Sequence, residues 1–312
     1  MHVQLSSAGR AFGVCDIDRD VEEIGTAIGF LRGLFGANKG DAGDVDIVLM
    51  GHSTGCQDTM RYLTAPNPIS ERRSKRPVVQ GAILQAPVSD REALNHEVED
   101  SPEVKGCYER AMRIVRATSE NDYRDVLLPL SVSRPLFGPA PLSISRLLSL
   151  ASPGSPGWPS VEDFFSSDLS EETLRSTFGK IGENGLLWHS AAERETQSIL
   201  ILMSDADQWA KISQKDVLAR WKNLMTEDTG AAIHGESAVI ANAKHDVSGE
   251  DWSSLEARLV VLRRKVLRYL EDVVGDVGDD AHTIWRRDRD RVAALKEGEA
   301  TGVEETIQGL KL

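Results

Sequence analysis

Residues 47–58 read IVLMGHSTGCQD, and the fold turns on how the serine in the middle is reached. The run DIVLM at 46–50 has the β-branched and aliphatic make-up of a short strand buried on both faces of a parallel sheet, and 54–63 can continue as a helix. Between them Ser53 stands with Gly51 two places before it and Gly55 two places after. A serine at a sharp strand-to-helix turn takes a strained backbone conformation, and its neighbours two positions away must be small to avoid a clash. The pattern G-x-S-x-G is short enough to arise by chance, so a glycine-flanked turn with a structural serine competes with a nucleophile. The strand before and the helix after favour the nucleophile. Cys56, three residues past the serine on the helix, reads as a buried packing thiol rather than a second nucleophile.

Outward from this turn the chain alternates. Residues 3–7 read as a short strand. Over 16–35, Val21, Ile24, Ile28, Leu31 and Leu34 recur at helical spacing behind early aspartates, which predicts an amphipathic helix ended by Gly36 and a loop over 37–43. After the 54–63 helix a basic, Pro-containing loop (65–77) leads to VVQGAILQA at 78–86, a second buried-strand pattern. Strand and helix in alternation predict a parallel sheet with right-handed crossovers. Between 90 and 195 the pattern changes to helical stretches such as 109–118 interleaved with a Pro/Ser/Gly-rich segment at 128–159. Because strands resume at 198–203 (SILILM), this region reads as a cap inserted into the sheet domain. A helix over 217–225, a last strand over 237–241 and a long amphipathic helix over 252–274 follow. The expected organisation is one α/β domain over 1–274, its cap at about 90–195, and a charged extension over 275–312, partly helical or mobile.

Composition narrows the function. A chain of 312 residues can bury a sizeable core. A formal net charge of −13 with a pI near 5.1 argues against a nucleic-acid binder, which needs a basic face for phosphates. No apolar run approaches the ~20 residues of a membrane span, and no signal-peptide pattern follows Met1. Three cysteines, an odd number, form no disulfide framework, so the expected compartment is the cytosol. No His/Cys/Asp cluster has ligand spacing, so neither a metal nor a cofactor is expected.

A serine hydroxyl is a poor nucleophile unless a base takes its proton, and the base works best when a carboxylate orients it. In a doubly wound sheet such groups lie just past the C-terminal ends of strands. Ser53 follows the first strand end, MSDADQW (203–209) a later one and NAKHD (242–246) the last, giving the order Ser, Asp, His of the α/β-hydrolases. His245 is the candidate base, since it follows the last strand by a few residues. His52, on a tight turn, is expected to point elsewhere and to shape the turn. His96 and His189 fall in or beside the cap, with surface or packing roles favoured. For the acid, Asp207 and Asp205 compete: Ser-x-x-Asp after the strand favours Asp207, with Asp205 as a turn-former. Asp90, beyond the 78–86 strand, is a third option, and Asp246 reads as solvated or capping. The backbone N–H of Thr54 is the candidate oxyanion donor. Nothing between Met1 and Asp46 looks like a glycine-rich loop that would supply a second.

At GHSTGCQD, with DVEEI before it, GAILQAPVSDREA after it, and the later LMSDADQW and ANAKHD, the chain resembles the fungal fusarinine C esterase family of the α/β-hydrolase superfamily. The likeness spans roughly residues 3–270. It implies an α/β-hydrolase-type, doubly wound and mainly parallel sheet with a helical cap. It also implies an intracellular serine esterase acting on a small-molecule ester, a hydroxamate siderophore by family likeness, with Ser53, Asp207 and His245 at the triad positions. One departure stands against this. Family members begin with a further strand and glycine-rich loop ahead of the 3–7 strand, so the expectation is a sheet short of N-terminal strand and second oxyanion donor. A rival reading follows from it: a hydrolase-fold binding protein, non-catalytic or weakly active.

Overall fold

The computed structural model describes residues 1–36, 45–189, 197–210, 212–225, 231–249 and 252–275. The loop expected over 37–43 and nearly all of the extension expected over 275–312 lie outside them. The strand run after the first helix (α1, Ile17–Gly36) forms β1 (Val48–His52), which pairs in parallel with β2 (Gly81–Gln85). β2 in turn pairs in parallel with β3 (Gln197–Ser204). Two short strands share the far side of β3: β4 (Ala231–Ile233) runs beside its first half and β5 (Ala238–Ile240) beside its second, both parallel. The register aligns His52 with Gln85, Gln85 with Leu202, and Leu202 with Ala238, so the strands finish at one rim.

Alternation along these strands explains why both faces are covered. Ala82, Leu84, Ile199, Ile201 and Met203 face one layer, built by α1, α2 (Thr54–Thr64), α7 (Glu171–Asn184) and α8 (Gln214–Leu224). Ile83, Leu200, Leu202 and Ile240 face the other, where α9 (Trp252–Val274) packs with Tyr269 and Val273. A residue shift of one would exchange the two sets. Tyr269 reaches furthest in: its hydroxyl accepts the Ala82 N–H at 2.9 Å and donates to the Ser198 carbonyl at 2.9 Å. Gly81 makes room for it, since a Cβ there would lie 3.1 Å from Val48 and 3.2 Å from the Tyr269 ring.

Between β2 and β3 lies the helical insertion: α3 (Asp90–Asp100), α4 (Pro102–Ala117), α5 (Leu130–Phe137) and α6 (Ile144–Ala151), followed by α7. Serine side chains start most of these helices by accepting an orphan N–H: Ser89 from Glu92, Ser101 from Val104 ahead of Pro102, Ser143 from Arg146 and Ser170 from Thr173. The insertion has its own core, with Leu94, Ala111, Val115, Val132, Leu142, Ile144, Leu147 and Leu150 buried together. The Pro/Ser/Gly-rich segment over 128–159 therefore contains two short helices, one ended by Gly138 at φ 79° and the other by Ser152 in the left-handed region. Ion pairs tie the insertion together from within: Arg91 meets the buried Asp163 at 3.0 Å and the half-exposed Asp168, and the buried Arg146 meets Glu162.

Three expectations change. The run read as a strand buried on both faces forms β1, but at the edge of the sheet, with Met50 48% exposed and only Gly51 fully buried. Residues 3–7 form no strand: the Ser6 N–H donates to the Glu23 carboxylate at 2.7 Å and the Ala8 N–H to the Leu5 carbonyl at 3.0 Å, tying this segment to α1 and to itself. A strand needs a ladder partner, and those backbone groups are committed elsewhere. Onward, the Gly13 carbonyl accepts the Ser143 N–H at 2.8 Å, and the Phe12 carbonyl accepts Arg146 Nε at 3.0 Å, so the N-terminal segment is laid against the insertion. The last change is β4, three residues long and without a clear strand pattern, which pairs with the first half of β3.

Candidate active site

Ser53 follows β1 directly and caps α2 with φ 55° and ψ −125°, a conformation that costs a non-glycine residue about 1–3 kcal/mol. Two features hold it. Its N–H donates to the Gln85 carbonyl at 3.2 Å, and its carbonyl accepts the Cys56 N–H at 2.8 Å. The glycine pair divides in role. A Cβ on Gly51 would come within 2.0 Å of the Gly55 carbonyl oxygen, so only glycine fits, whereas a Cβ on Gly55 would meet nothing within 4 Å. The expectation that both must be small holds for Gly51 alone. Cys56 is buried, its thiol directed at the carbonyls of Gly51 (3.4 Å) and Gln85 (3.2 Å). Burial pushes that thiol far up, which keeps it a packing group. Thr54 opens α2, where first-turn N–H groups have no acceptor inside the helix.

The loop after β3 carries Asp207, and the loop after β5 carries His245. The two loops are stitched by backbone bonds, Asp205 N–H to the Ile240 carbonyl (3.0 Å) and Ala206 N–H to the Ala243 carbonyl (2.9 Å). Both side chains are buried, and His245 Nδ1 lies 2.7 Å from Asp207 Oδ2. The other carboxylate oxygen accepts the Trp209 N–H at 3.0 Å. An ionised carboxylate only accepts, so Nδ1 carries the proton and Nε2 is left with a free lone pair. Two glutamines hold the histidine backbone: Gln208 Oε1 accepts its N–H at 3.2 Å, and Gln85 Nε2 donates to its carbonyl at 3.5 Å. Gln85 thus serves both loops, through its carbonyl for Ser53 and its amide for His245. Sequence reasoning passed over both glutamines, because only their place at a strand end or beside the acid marks them.

The rival carboxylates are occupied elsewhere. Asp205 faces Lys215 at 3.5 Å. Asp90 starts α3, accepts Gln57 Nε2 at 2.9 Å, and is pushed up to about 6 by burial. Asp246 is exposed and accepts the Ser248 N–H at 3.0 Å. Among the other histidines, His189 is buried between the Gln80 carbonyl (2.8 Å) and the Ser198 N–H (2.8 Å), a packing role. His234, which the sequence left without context, sits 3.0 Å from Asp272 beside Tyr269. His96 lies on α3, 3.9 Å from Glu99. His52 departs from expectation: its ring packs on that of His245, centroids 5.0 Å apart and planes 40° off parallel. His52 keeps part of its ring exposed to solvent; the partial desolvation of the rest, and then the charge of His245, hold it below the ordinary histidine range.

Among the described residues, no group of three or more His, Cys, Asp or Glu side chains could hold a metal ion, and no helix is long and apolar enough to cross a membrane. A cavity of about 380 Å³ opens between the N-terminal segment and the insertion, lined by Cys15, Asp18, Ser143, Arg146, Ser149 and Glu162; Ser53, Asp207 and His245 do not line it.

The profile of a family described as a protein of unknown function, DUF1749, matches residues 1–271. The chain is 38% identical over 295 residues to the fusarinine C esterase sidJ of Aspergillus fumigatus, covering 86% of this chain and 79% of that protein. It is 33% identical over 306 residues to esterase AN6793 of Emericella nidulans, covering 89% and 79%. Among solved structures it is similar to the siderophore hydrolase EstB from Aspergillus fumigatus, at 37% identity and a TM-score of 0.71, covering 87% of this chain and 80% of that one. The architecture therefore matches a hydrolase fold, as the family resemblance implied.

Proposed function

The chain belongs to the DUF1749 family, and on that premise we propose that it is a serine esterase that cleaves carboxylic esters of hydroxamate siderophores of the fusarinine C type. What supports the reading is that Ser53, in its strained conformation, follows the end of β1 at the same sheet rim as the loops that carry the 2.7 Å pair of His245 and Asp207. His245 Nε2 takes the proton of Ser53 Oγ as the oxygen attacks the ester carbonyl. Asp207 keeps the imidazole in the tautomer that can do so and stabilises the imidazolium. The oxyanion forms beside the Thr54 N–H. His245 then returns the proton to the departing alcohol, and a water deprotonated by the same imidazole releases the acid and restores Ser53. The helical insertion described over 90–189 acts as the cap that shapes the substrate pocket. The substrate rests on the relatives, named as a fusarinine C esterase and a siderophore hydrolase. Three cysteines without disulfides support a cytosolic setting.

A fluorophosphonate probe tests the nucleophile: it should label the protein, and Ser53→Ala should abolish the label. Hydrolysis of fusarinine C, compared with p-nitrophenyl esters, tests the substrate. A labelled protein that leaves fusarinine C intact would move the substrate to another ester. A folded protein that takes no label would return the chain to the rival reading, a binding protein on a hydrolase scaffold.

A further inference from the structure

We propose that His52 is a positioning residue for His245, its ring forming the wall against which the neighbouring imidazole stands and carries positive charge during the reaction. The inference rests on the reading of His245 as the base. His52 is the last residue of β1 and aligns with Gln85 at the rim, so the strand delivers its side chain to the place where the β5 loop brings His245. The surroundings of His245 divide by direction. Gln208 and Gln85 hold its backbone and Asp207 holds one ring edge, but a single edge bond leaves the ring free to tilt about that bond. The His52 ring, its centroid 5.0 Å away and its plane tilted by 40°, stands against the imidazole on one side and limits that tilt.

Charge gives the contact a second consequence. When His245 takes the serine proton it becomes a cation, and a neutral aromatic ring within about 6 Å attracts a cation. A protonated His52 would repel it instead. The titratable groups facing His52 are His245, Asp207 and Asp246. The two carboxylates favour a charged His52, while burial and the charge on His245 oppose it, and the opposition prevails, which holds His52 below the ordinary histidine range. That direction favours the neutral ring, the form compatible with a neighbouring imidazolium.

Two substitutions and a titration test this. His52→Phe keeps a ring and removes its charge; His52→Ala removes both. With a p-nitrophenyl ester, His52→Ala should lower kcat by about three- to tenfold, the range such a contact supplies, with KM within about twofold of wild type and His52→Phe restoring kcat to within about twofold. Imidazole NMR gives a readout without turnover. In Ser53→Ala protein the His52 midpoint should lie below that of an ordinary histidine, and adding His245→Gln should raise it. Wild-type kcat in His52→Ala, equal damage in His52→Phe, or a His52 midpoint indifferent to His245 would each overturn the inference. If wild-type protein turns over no ester, the esterase reading fails and the titration alone decides this one.

Discussion

Replacing Asp207 by Asn should lower kcat by about three to four orders of magnitude, or about 4 to 5.5 kcal/mol in the barrier. The size follows from the two partners of the carboxylate. Oδ1 accepts the Trp209 N–H at 3.0 Å, and Oδ2 faces His245 Nδ1 at 2.7 Å. An asparagine can keep the Trp209 bond only by placing its carbonyl oxygen there, which turns its NH₂ toward His245. Nδ1 must then accept, the ring proton moves to Nε2, and the imidazole can no longer take the serine proton. Flipping the amide would restore the tautomer but set an NH₂ against the Trp209 N–H, leaving two donors facing each other in a buried site. Steady-state kinetics on a p-nitrophenyl ester, with thermal melting as a control for folding, measures the loss. Asp205→Asn, beside Lys215 at 3.5 Å, should stay within about threefold of wild type. The reasoning fails if Asp207→Asn keeps more than about a tenth of kcat, or if Asp205→Asn or Asp90→Asn loses activity in its place.

The glycine pair predicts opposite outcomes in a denaturation experiment: Gly51→Ala should destabilise by several kcal/mol, given a contact of 2.0 Å with backbone, whereas Gly55→Ala, in open space on α2, should be neutral or stabilising by up to about 1 kcal/mol. Tyr269→Phe should cost about 2–3 kcal/mol by chemical denaturation, since it strands the Ala82 N–H and the Ser198 carbonyl in the core; an unchanged midpoint would show that water replaces the hydroxyl. Asp58 is 8% exposed, and burial pushes its carboxyl up to about 8 from an ordinary 3.8. The folded state thus favours the protonated acid, a contribution complete below pH 4 and lost as pH rises through 8. The advantage of Asp58→Asn over wild type should therefore grow, by up to about 1.4 kcal/mol per pH unit, across that window and then level off. Melting curves at pH 5, 7 and 9 with a constant difference would contradict that burial.

What the sequence disclosed follows from how local each signal is. The aliphatic runs that became β2 and β3 are buried throughout, so composition alone marks them; β1 has the same make-up but lies at the edge of the sheet, where only Gly51 is fully buried. The spacing of apolar residues marks α9 over its whole length, Trp252–Val274. α5 and α6 were hidden because each is eight residues long and bounded by Pro, Ser and Gly, with their apolar residues paid for only by packing on the rest of the insertion. The supposed strand over 3–7 had the right residues, but a strand is a relation between two segments, and Glu23 claims its backbone instead. The candidate site shows the same division. Ser53, Asp207 and His245 were chosen by their place after strand ends, and the structure gathers those strand ends at one rim. The direction of the His52 side chain and the double service of Gln85 depend on which loops arrive beside them, which no short pattern encodes.

The short strand that leads to His245 has a consequence for how this scaffold can vary. β5 pairs with β3 over three positions, from Leu202 opposite Ala238 to Ser204 opposite Ile240, and the imidazole stands five residues past its end. With so brief a ladder, chain length between that strand and the imidazole becomes a dimension of the site. One residue gained or lost there would carry the ring past its carboxylate by about the rise of a strand residue, roughly 3.3 Å, more than the whole Asp207–His245 separation of 2.7 Å. Side chains along this segment can be exchanged more freely than residues can be counted in or out.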